Sequence, residues 1–375
     1  MTSGRTVVRS APGKLFVTGE YAVVEPGTPA IVVAVDREIT ATVTLSETAD
    51  IVISSDLVPR AVNWRWLDGR LHAPGTENGE ADGHGARGAL THVVAAVETV
   101  GRLLAERGLP MPGLDLSIGS RLHDNGRKYG LGSSGAVTVA TIDAITSLCG
   151  LDLSPDARYR LAVISSVGID PVGSGGDLAA STWGGWIAYQ APDRAFVLDL
   201  TRRYGVEEAL RTPWPGHSVR RLPAPRGLAL EVGWTGNPAS TASLVSGLHR
   251  RIWRGTASHR AFVETSTDFV RASITALEAG DDQSLLYQIR RARRELARLD
   301  DEVGLGIFTP ELTALCTVAE TVGGAAKPSG AGGGDCGIAL LDAEAMHDIS
   351  HVRQRWAAAG VLPLSVRPAP EGTEK

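Results

Sequence analysis

Lys128-Tyr-Gly-Leu-Gly-Ser-Ser-Gly-Ala-Val-Thr-Val-Ala140 decides how the rest of the chain is read. Three glycines and two adjacent serines precede an apolar run in which Val137, Ala140, Thr141, Ala144, Ile145 and Leu148 recur at helical spacing. Gly130, Gly132 and Gly135 permit backbone angles and close approaches that side chains would block. Free N–H groups and the positive end of a helix then make an anion site, with phosphate the usual guest. The same glycines fit G-x-G-x-x-G, whose dinucleotide reading needs a hydrophobic strand immediately before it. Here the approach is polar, Arg121-Leu-His-Asp-Asn-Gly-Arg-Lys128, and the nearest strand candidate, Leu114 to Ile118, ends too early. That disfavours a Rossmann fold. A plain Gly/Ser turn before an ordinary helix stays open.

The chain has 375 residues, enough for two domains. Ordinary apolar content and moderate charge suit a soluble globular protein with a full core. A net charge of -5 argues against general binding to nucleic acid or membrane surfaces. No apolar run is long enough to span a bilayer, and the first residues lack the apolar core of a signal peptide. Cys149, Cys316 and Cys336 are scattered without zinc spacing, which fits reduced thiols and a cytoplasmic location.

Along the chain, Thr6–Ser10 and Leu15–Thr18 read as strands around a turn at Pro12-Gly13, from which Lys14 emerges. Residues 30–35 and 39–45 are strand candidates. Trp64 and Trp66 suit core or hairpin packing better than a nucleotide pocket, and 75–88 reads as a surface loop. An amphipathic helix covers 89–107. Ser154-Pro155 opens another, through Val167. Asp177 follows a Gly/Ser run and precedes small residues, so it is either a helix cap or a working acid. Residues 186–189 and 195–200 read as paired strands, and the Pro- and Arg-rich 202–226 as an inter-domain connection. A strand at 228–232 and helices over 258–280 and 281–300 follow. The second helix carries Arg290, Arg291, Arg293, Arg294 and Arg298, either a solvated face or contacts for a doubly anionic ligand. Beyond a helix from Thr309-Pro310 to Val322, Lys327-Pro-Ser-Gly-Ala-Gly-Gly-Gly-Asp-Cys-Gly337 feeds a buried strand. A helix over 343–359, a strand near 362–366 and a frayed tail close the chain.

Lys14, the Gly130–Ala136 loop, Asp177 and the Lys327 segment together resemble the superfamily of galactokinase, homoserine kinase, mevalonate kinase and phosphomevalonate kinase (the GHMP kinases). No G-x-x-x-x-G-K-[ST] is present, and the H-R-D and D-F-G signatures of protein kinases are missing. The likeness runs from Ala11 to Leu341. Its finer match is to the phosphomevalonate kinases, through Lys128-Tyr129 and the loop, Gly-Asp177-Leu-Ala-Ala-Ser, Gly233-Trp-Thr-Gly-Asn-Pro-Ala-Ser-Thr241 and the Lys327 run.

The resemblance implies a two-domain α+β GHMP-kinase fold. Residues 1–205 would form a ribosomal-S5-domain-2-like nucleotide-binding domain and 206–375 a ferredoxin-like α/β sandwich, with the ligands in the cleft between them. It implies ATP and Mg²⁺ as cofactors and 5-phosphomevalonate as substrate in the mevalonate route to isopentenyl diphosphate, in a monomer or homodimer. Lys14 and Asp177 would act at the reacting centre. Lys128, Gly130, Leu131, Gly132, Ser133, Ser134, Gly135 and Ala136 would hold the nucleotide, with Ser134 on the metal. Ser174, Ser240, Arg293, Ser329 and Gly330 would join Lys14 and Asp177 around the substrate. Mevalonate kinases place a metal-binding acid upstream of the aspartate, and between Ser165 and Gly176 only Asp170 offers itself. Alternatives are a mevalonate or sugar-alcohol kinase, a diphosphomevalonate decarboxylase, and a silent ATP-binding sensor. A sensor has no need of both Lys14 and Asp177.

Overall fold

The computed structural model describes residues 4–56, 58–73, 87–124, 127–237 and 253–372. Its first strand, β1 (Thr6–Thr18), runs antiparallel to β2 (Pro29–Leu45). Where the sequence predicts a turn at Pro12-Gly13, the strand instead runs straight through with a register shift, Pro12 facing Glu38 and Gly13 facing Val35. Proline has no N–H for the ladder and is tolerated at such a bulge. Gly13 is needed for space, since a Cβ there would lie 2.7 Å from the Leu131 carbonyl oxygen. The bulge brings β1 against the glycine loop, and the Lys14 N–H donates to the Leu131 carbonyl at 2.8 Å. The strands predicted at 30–35 and 39–45 are one strand, β2.

β3 (Ile51–Ser55), β4 (Val62–Leu67) and β5 (Arg70–His72) lead to α1 (Thr91–Glu106). Trp64 is fully buried in β4, and Trp66 packs on α1 at Gly101. A Cβ at Gly101 would run into the Trp66 ring. Gly101→Ala is therefore expected to cost roughly 1–3 kcal/mol of overpacking, offset by about 1 kcal/mol of helix propensity. The urea unfolding midpoint measures it, and a rise in midpoint would show that the ring yields freely.

β6 (Leu114–Ser120), the two-residue strands β7 (His123–Asp124) and β8 (Arg127–Lys128), and α2 (Ser133–Leu148) follow. α2 packs on β1, β2, α1 and two further helices, α3 (Pro155–Val167) and α4 (Gly176–Trp183). Buried Ala136, Ala140 and Ala144 keep it close to its neighbours. The Ser154 side chain caps α3 by accepting from the Ala157 N–H at 3.2 Å.

β9 (Trp186–Gln190) comes next, and beyond it the fold departs from the sequence expectation. Residues 195–200 lie in a helix, α5 (Arg194–Arg211), because the Asp193 carboxylate caps it, accepting from the Ala195 and Phe196 N–H groups at 2.9 and 3.1 Å. β9 pairs instead with β2 and with β10 (Ser218–Leu222). The first sheet has the order β10-β9-β2-β6-β3-β4-β5, with β1 also on β2, and only β3 and β6 are parallel. The expected linker at 202–226 is thus mostly structure of the first domain. Glu106 holds α5 at its Gly205 kink by accepting from the Val206 and Glu207 N–H groups at 2.9 and 2.6 Å. The chain passes from the first sheet to the second between Leu222 and Leu228.

The second sheet is antiparallel. It contains β11 (Leu228–Trp234), β12 (Ala325–Pro328), β13 (Cys336–Asp342) and β14 (Leu362–Leu364), in the order β12-β13-β11-β14. α6 (Ala257–Ala279) packs on β2 and β10 of the first sheet and on α7 (Asp282–Val303), while α7, α8 (Pro310–Thr321) and α9 (Met346–Ala358) lie against the second sheet. The tail, expected to fray, straps back onto the first domain. Pro368 bridges Val35, Glu371 bridges Gly184, and Glu371 accepts from Arg221 at 2.8 Å.

Candidate active site

Two helix N-termini meet where the domains adjoin. α2 begins at Gly132, in the left-handed region with φ 76°, and no side chain caps it. Its first-turn N–H groups therefore lack an intrahelical partner and make an anion site. α4 begins at Gly175, also left-handed, and places Asp177 in its first turn. Gly175 occupies the cap position, which removes the alternative that Asp177 is only a cap. Ser134 Oγ donates to Asp177 Oδ2 at 3.4 Å.

The glycines are spaces for these side chains. A Cβ on Gly135 would lie 2.7 Å from Asp177 Cγ and Oδ2. One on Gly132 would lie 2.9 Å from Lys14 Cε and 3.3 Å from Asp177 Cβ. Lys14 and Asp177, far apart in sequence, thus flank the same turn of the loop. The Lys14 ammonium stands 5.5 Å from the Phe16 ring centroid and 4.0 Å from where a Gly330 Cβ would be. The Lys327 segment therefore reaches the Lys14 amine itself.

Ser174 shapes the approach to Asp177. Its hydroxyl accepts from the Gly176 N–H at 3.2 Å, and its carbonyl accepts from the Tyr189 hydroxyl at 2.5 Å. Tyr189 in turn contacts the Tyr159 hydroxyl at 2.8 Å, and burial raises both phenols' pKa values, keeping them protonated. Asp170 serves the preceding turn, accepting from the Val172 N–H at 3.3 Å. Lys128 is exposed in β8, beside the loop it precedes.

The second domain braces the loop entrance. The Asp335 side chain fills the space over Gly130, where a Cβ would lie 2.5 Å from its Cγ. The Cys336 thiol donates to the Tyr129 carbonyl at 2.9 Å, and burial pushes the thiol up so that it stays protonated. Tyr129 packs edge-on against Trp234, ring centroids 4.9 Å apart, with the Arg37 guanidinium 4.5 Å over its face.

Two other residues, Arg293 and Ser240, are expected from the sequence to meet the substrate. Arg293 forms an ion pair with Glu320 of α8 at 2.5 Å. Arg290, Arg291 and Arg298 are likewise engaged, by the Gly323 and Gly324 carbonyls, Gln288 and Glu295. The arginine row is thus largely engaged within its own domain, with Arg293 held by Glu320. Ser240 lies outside the described residues.

Sequence reasoning misses three contributors. His92, in the first turn of α1, has its pKa lowered by burial, a shift that the Asp177 charge opposes and the Lys128 charge reinforces. It is therefore a neutral imidazole within the field of the site. Asp335 lies within the Lys327–Gly337 run already singled out, but nothing marks that residue itself, and Glu20 reads as an ordinary loop acid. Among the described residues no cluster of three or more His, Cys, Asp or Glu side chains could hold a metal. The oxygens of Ser134 and Asp177 beside the anion site fit Mg²⁺ carried in by phosphates, since that ion keeps several waters and few protein ligands.

Residues 91–185 match the family model for the GHMP kinases N terminal domain, and residues 274–358 the model for the GHMP kinases C terminal. The phosphomevalonate kinase of Streptomyces sp. (strain CL190) is 71% identical over 377 residues, spanning 99% of this chain and 100% of that one. The chain belongs to the phosphomevalonate kinases of the GHMP family. Two solved structures are similar over almost the whole length. A Listeria innocua protein is 32% identical with a TM-score of 0.87, covering 98% of both chains. The Streptococcus pneumoniae phosphomevalonate kinase, solved with phosphomevalonate and AMPPNP, is 26% identical with a TM-score of 0.82, covering 96% of this chain and 99% of that one. The two-domain α+β GHMP-kinase fold expected from the sequence is borne out. No helix among the described residues is long and apolar enough to cross a membrane.

Proposed function

We infer that the chain transfers the terminal phosphoryl group of ATP to the phosphate of (R)-5-phosphomevalonate, giving (R)-5-diphosphomevalonate and ADP. The observation that carries this reading is the 71% identity over the full length with a phosphomevalonate kinase. The convergence of Lys14, Asp177 and the glycine loop supplies a site for the chemistry.

Phosphoryl transfer asks the protein mainly for positioning and electrostatic stabilisation. The Gly130–Ala136 loop binds the ATP phosphates through the N–H groups of α2 and the hydroxyls of Ser133 and Ser134. Lys14 neutralises the transferring group. Gly330 faces Lys14 from the second domain, Ser329 supports that turn by donating to the Phe16 carbonyl, and Ser174 shapes the approach to Asp177. Mg²⁺ would be held by Ser134 and Asp177, and supplies charge neutralisation for the phosphates. The acceptor is a phosphate monoester whose second pKa is near ~6, so at neutral pH it is already a dianionic nucleophile. Asp177 therefore orients the centre and does not need to abstract a proton. With Arg293 paired to Glu320, the cationic work falls to Lys14 and Lys128. We place the enzyme in the cytoplasm, as a monomer or homodimer.

The test is coupled ADP release with mevalonate and 5-phosphomevalonate side by side. Sites built to bind a polar substrate group reject analogues lacking it by about 10⁴-fold, so kcat/KM for mevalonate should be lower by that order. Equal or faster turnover of mevalonate would overturn the reading.

A further inference from the structure

Glu20 stands outside the set of groups that would touch ATP or the acceptor, yet it is one of the few fully enclosed charges. It follows Gly19, whose φ of 98° and close approach to Ala30 turn the chain inward at the end of β1. The Glu20 side chain is 2% exposed and that of Lys327 is 0% exposed, and the two form an ion pair between the domains. Lys327 Nζ also donates to the Pro328 carbonyl at 2.7 Å, and the Gly330 N–H donates to Glu20 Oε1 at 3.4 Å. Beside this pair, Ser329 Oγ donates to the Phe16 carbonyl at 3.0 Å, and the Tyr21 hydroxyl donates to the Ala331 carbonyl. Residues 16–21 and 327–331 are thus stitched together a few residues beyond Lys14 in sequence.

This seam ends on the reacting centre. Gly330, whose N–H is held by Glu20, is the residue that faces the Lys14 ammonium. A buried ion pair is seldom the most stabilising choice, because desolvation offsets the attraction. Packing alone thus gives a weak reason for placing two charges here. We propose that Glu20 is a positioning residue: through Lys327 and the Gly330 N–H it fixes the Ser329–Gly330 turn opposite Lys14, and so sets the substrate-side wall of the phosphoryl-transfer site. The glycine loop is braced separately by Asp335 and Cys336, so the seam governs turnover more than nucleotide affinity.

The inference rests on the phosphoryl-transfer reading, and wild-type turnover of 5-phosphomevalonate is the control that separates the two. A wild type that fails to turn over removes that reading. A working wild type with unaffected Glu20 variants removes only this one. Glu20→Gln and Lys327→Met each strand a buried charge and should lose both thermal stability and rate. The double variant E20Q/K327M strands none. It is expected to recover most of the thermal midpoint while kcat stays at least about tenfold down and KM for ATP moves less than about threefold. Glu20→Asp keeps the charge with a shorter reach, so it tests the idea even if the double variant does not fold; its kcat should also fall about tenfold. Wild-type kcat in either the folded double variant or Glu20→Asp would overturn the proposal, since a merely structural seam moves the midpoint alone.

Discussion

Lys14→Met is expected to lower kcat by about 10²–10³-fold, the range seen when one preorganised charge or donor is removed from a transition state. KM for ATP should change little, because the nucleotide is held chiefly by backbone N–H groups of α2. Lys14 is anchored on both sides: its own N–H is fixed to Leu131, and its side chain passes Gly132 toward Gly330. Methionine keeps most of the stem's volume, so the loss reports charge. Two polyanions must approach here, and the net charge of -5 gives no general help. Asp177→Asn is expected to cost far less than the ~10²–10⁴-fold that loss of a general base brings. Its pH profile should keep the wild-type limb, set by the acceptor phosphate near pH ~6. Loss of that limb together with a large fall in rate would reassign Asp177 as the base.

The parts of this site with local signatures are legible in the chain itself. The polar approach to Gly130 excludes the dinucleotide fold, and the serines and glycines announce an anion site without any tertiary information. The caps at Ser154 and Thr309 are readable because capping is a contact between near neighbours. What escapes depends on distance. Glu20 meets Lys327 across 307 positions, and neither residue's neighbourhood hints at the other. Asp335 takes its meaning from Gly130 and Cys336 from Tyr129, both in another domain. The strand expected at 195–200 fails for a different reason. Apolar residues there suit strand or helix equally, and the decisive Asp193 cap lies just outside the run. The linker expected at 202–226 is helix and strand instead: arginine- and proline-rich composition resembles a linker, whereas those arginines pair on the surface of α5 and β10. The arginine row of α7 shows the same limit. Spacing places the charges on a helix, while their partners, Glu320 and the Gly323 and Gly324 carbonyls, are set by packing.

Gly135→Ala should separate stability from catalysis. Gly135 lies inside α2 and, unlike Gly130 and Gly132, it is not among the positive-φ residues. Alanine is therefore compatible with its backbone, and helix propensity alone favours the change by up to about 1 kcal/mol. The obstacle is Asp177, whose Cβ, Cγ and Oδ2 would all lie within 2.9 Å of the new methyl. The Asp177 Cβ is fixed to α4, so turning the carboxylate alone does not relieve the overlap; the start of one helix must shift. A displacement near ~1 Å at a reacting centre costs on the order of 100-fold in rate. Overpacking of about 1–3 kcal/mol outweighs that propensity only modestly, so Gly135→Ala should lower the thermal midpoint by a few degrees at most while kcat/KM falls by about that factor. Gly132→Ala is the contrasting case. Its left-handed φ of 76° adds about 1–2 kcal/mol of backbone strain, so it should lose stability as well as rate, through contact with Lys14. If Gly135→Ala retained full activity, the glycine would not be there to admit the Asp177 carboxylate, and the close meeting of the two helix starts would lose its catalytic meaning.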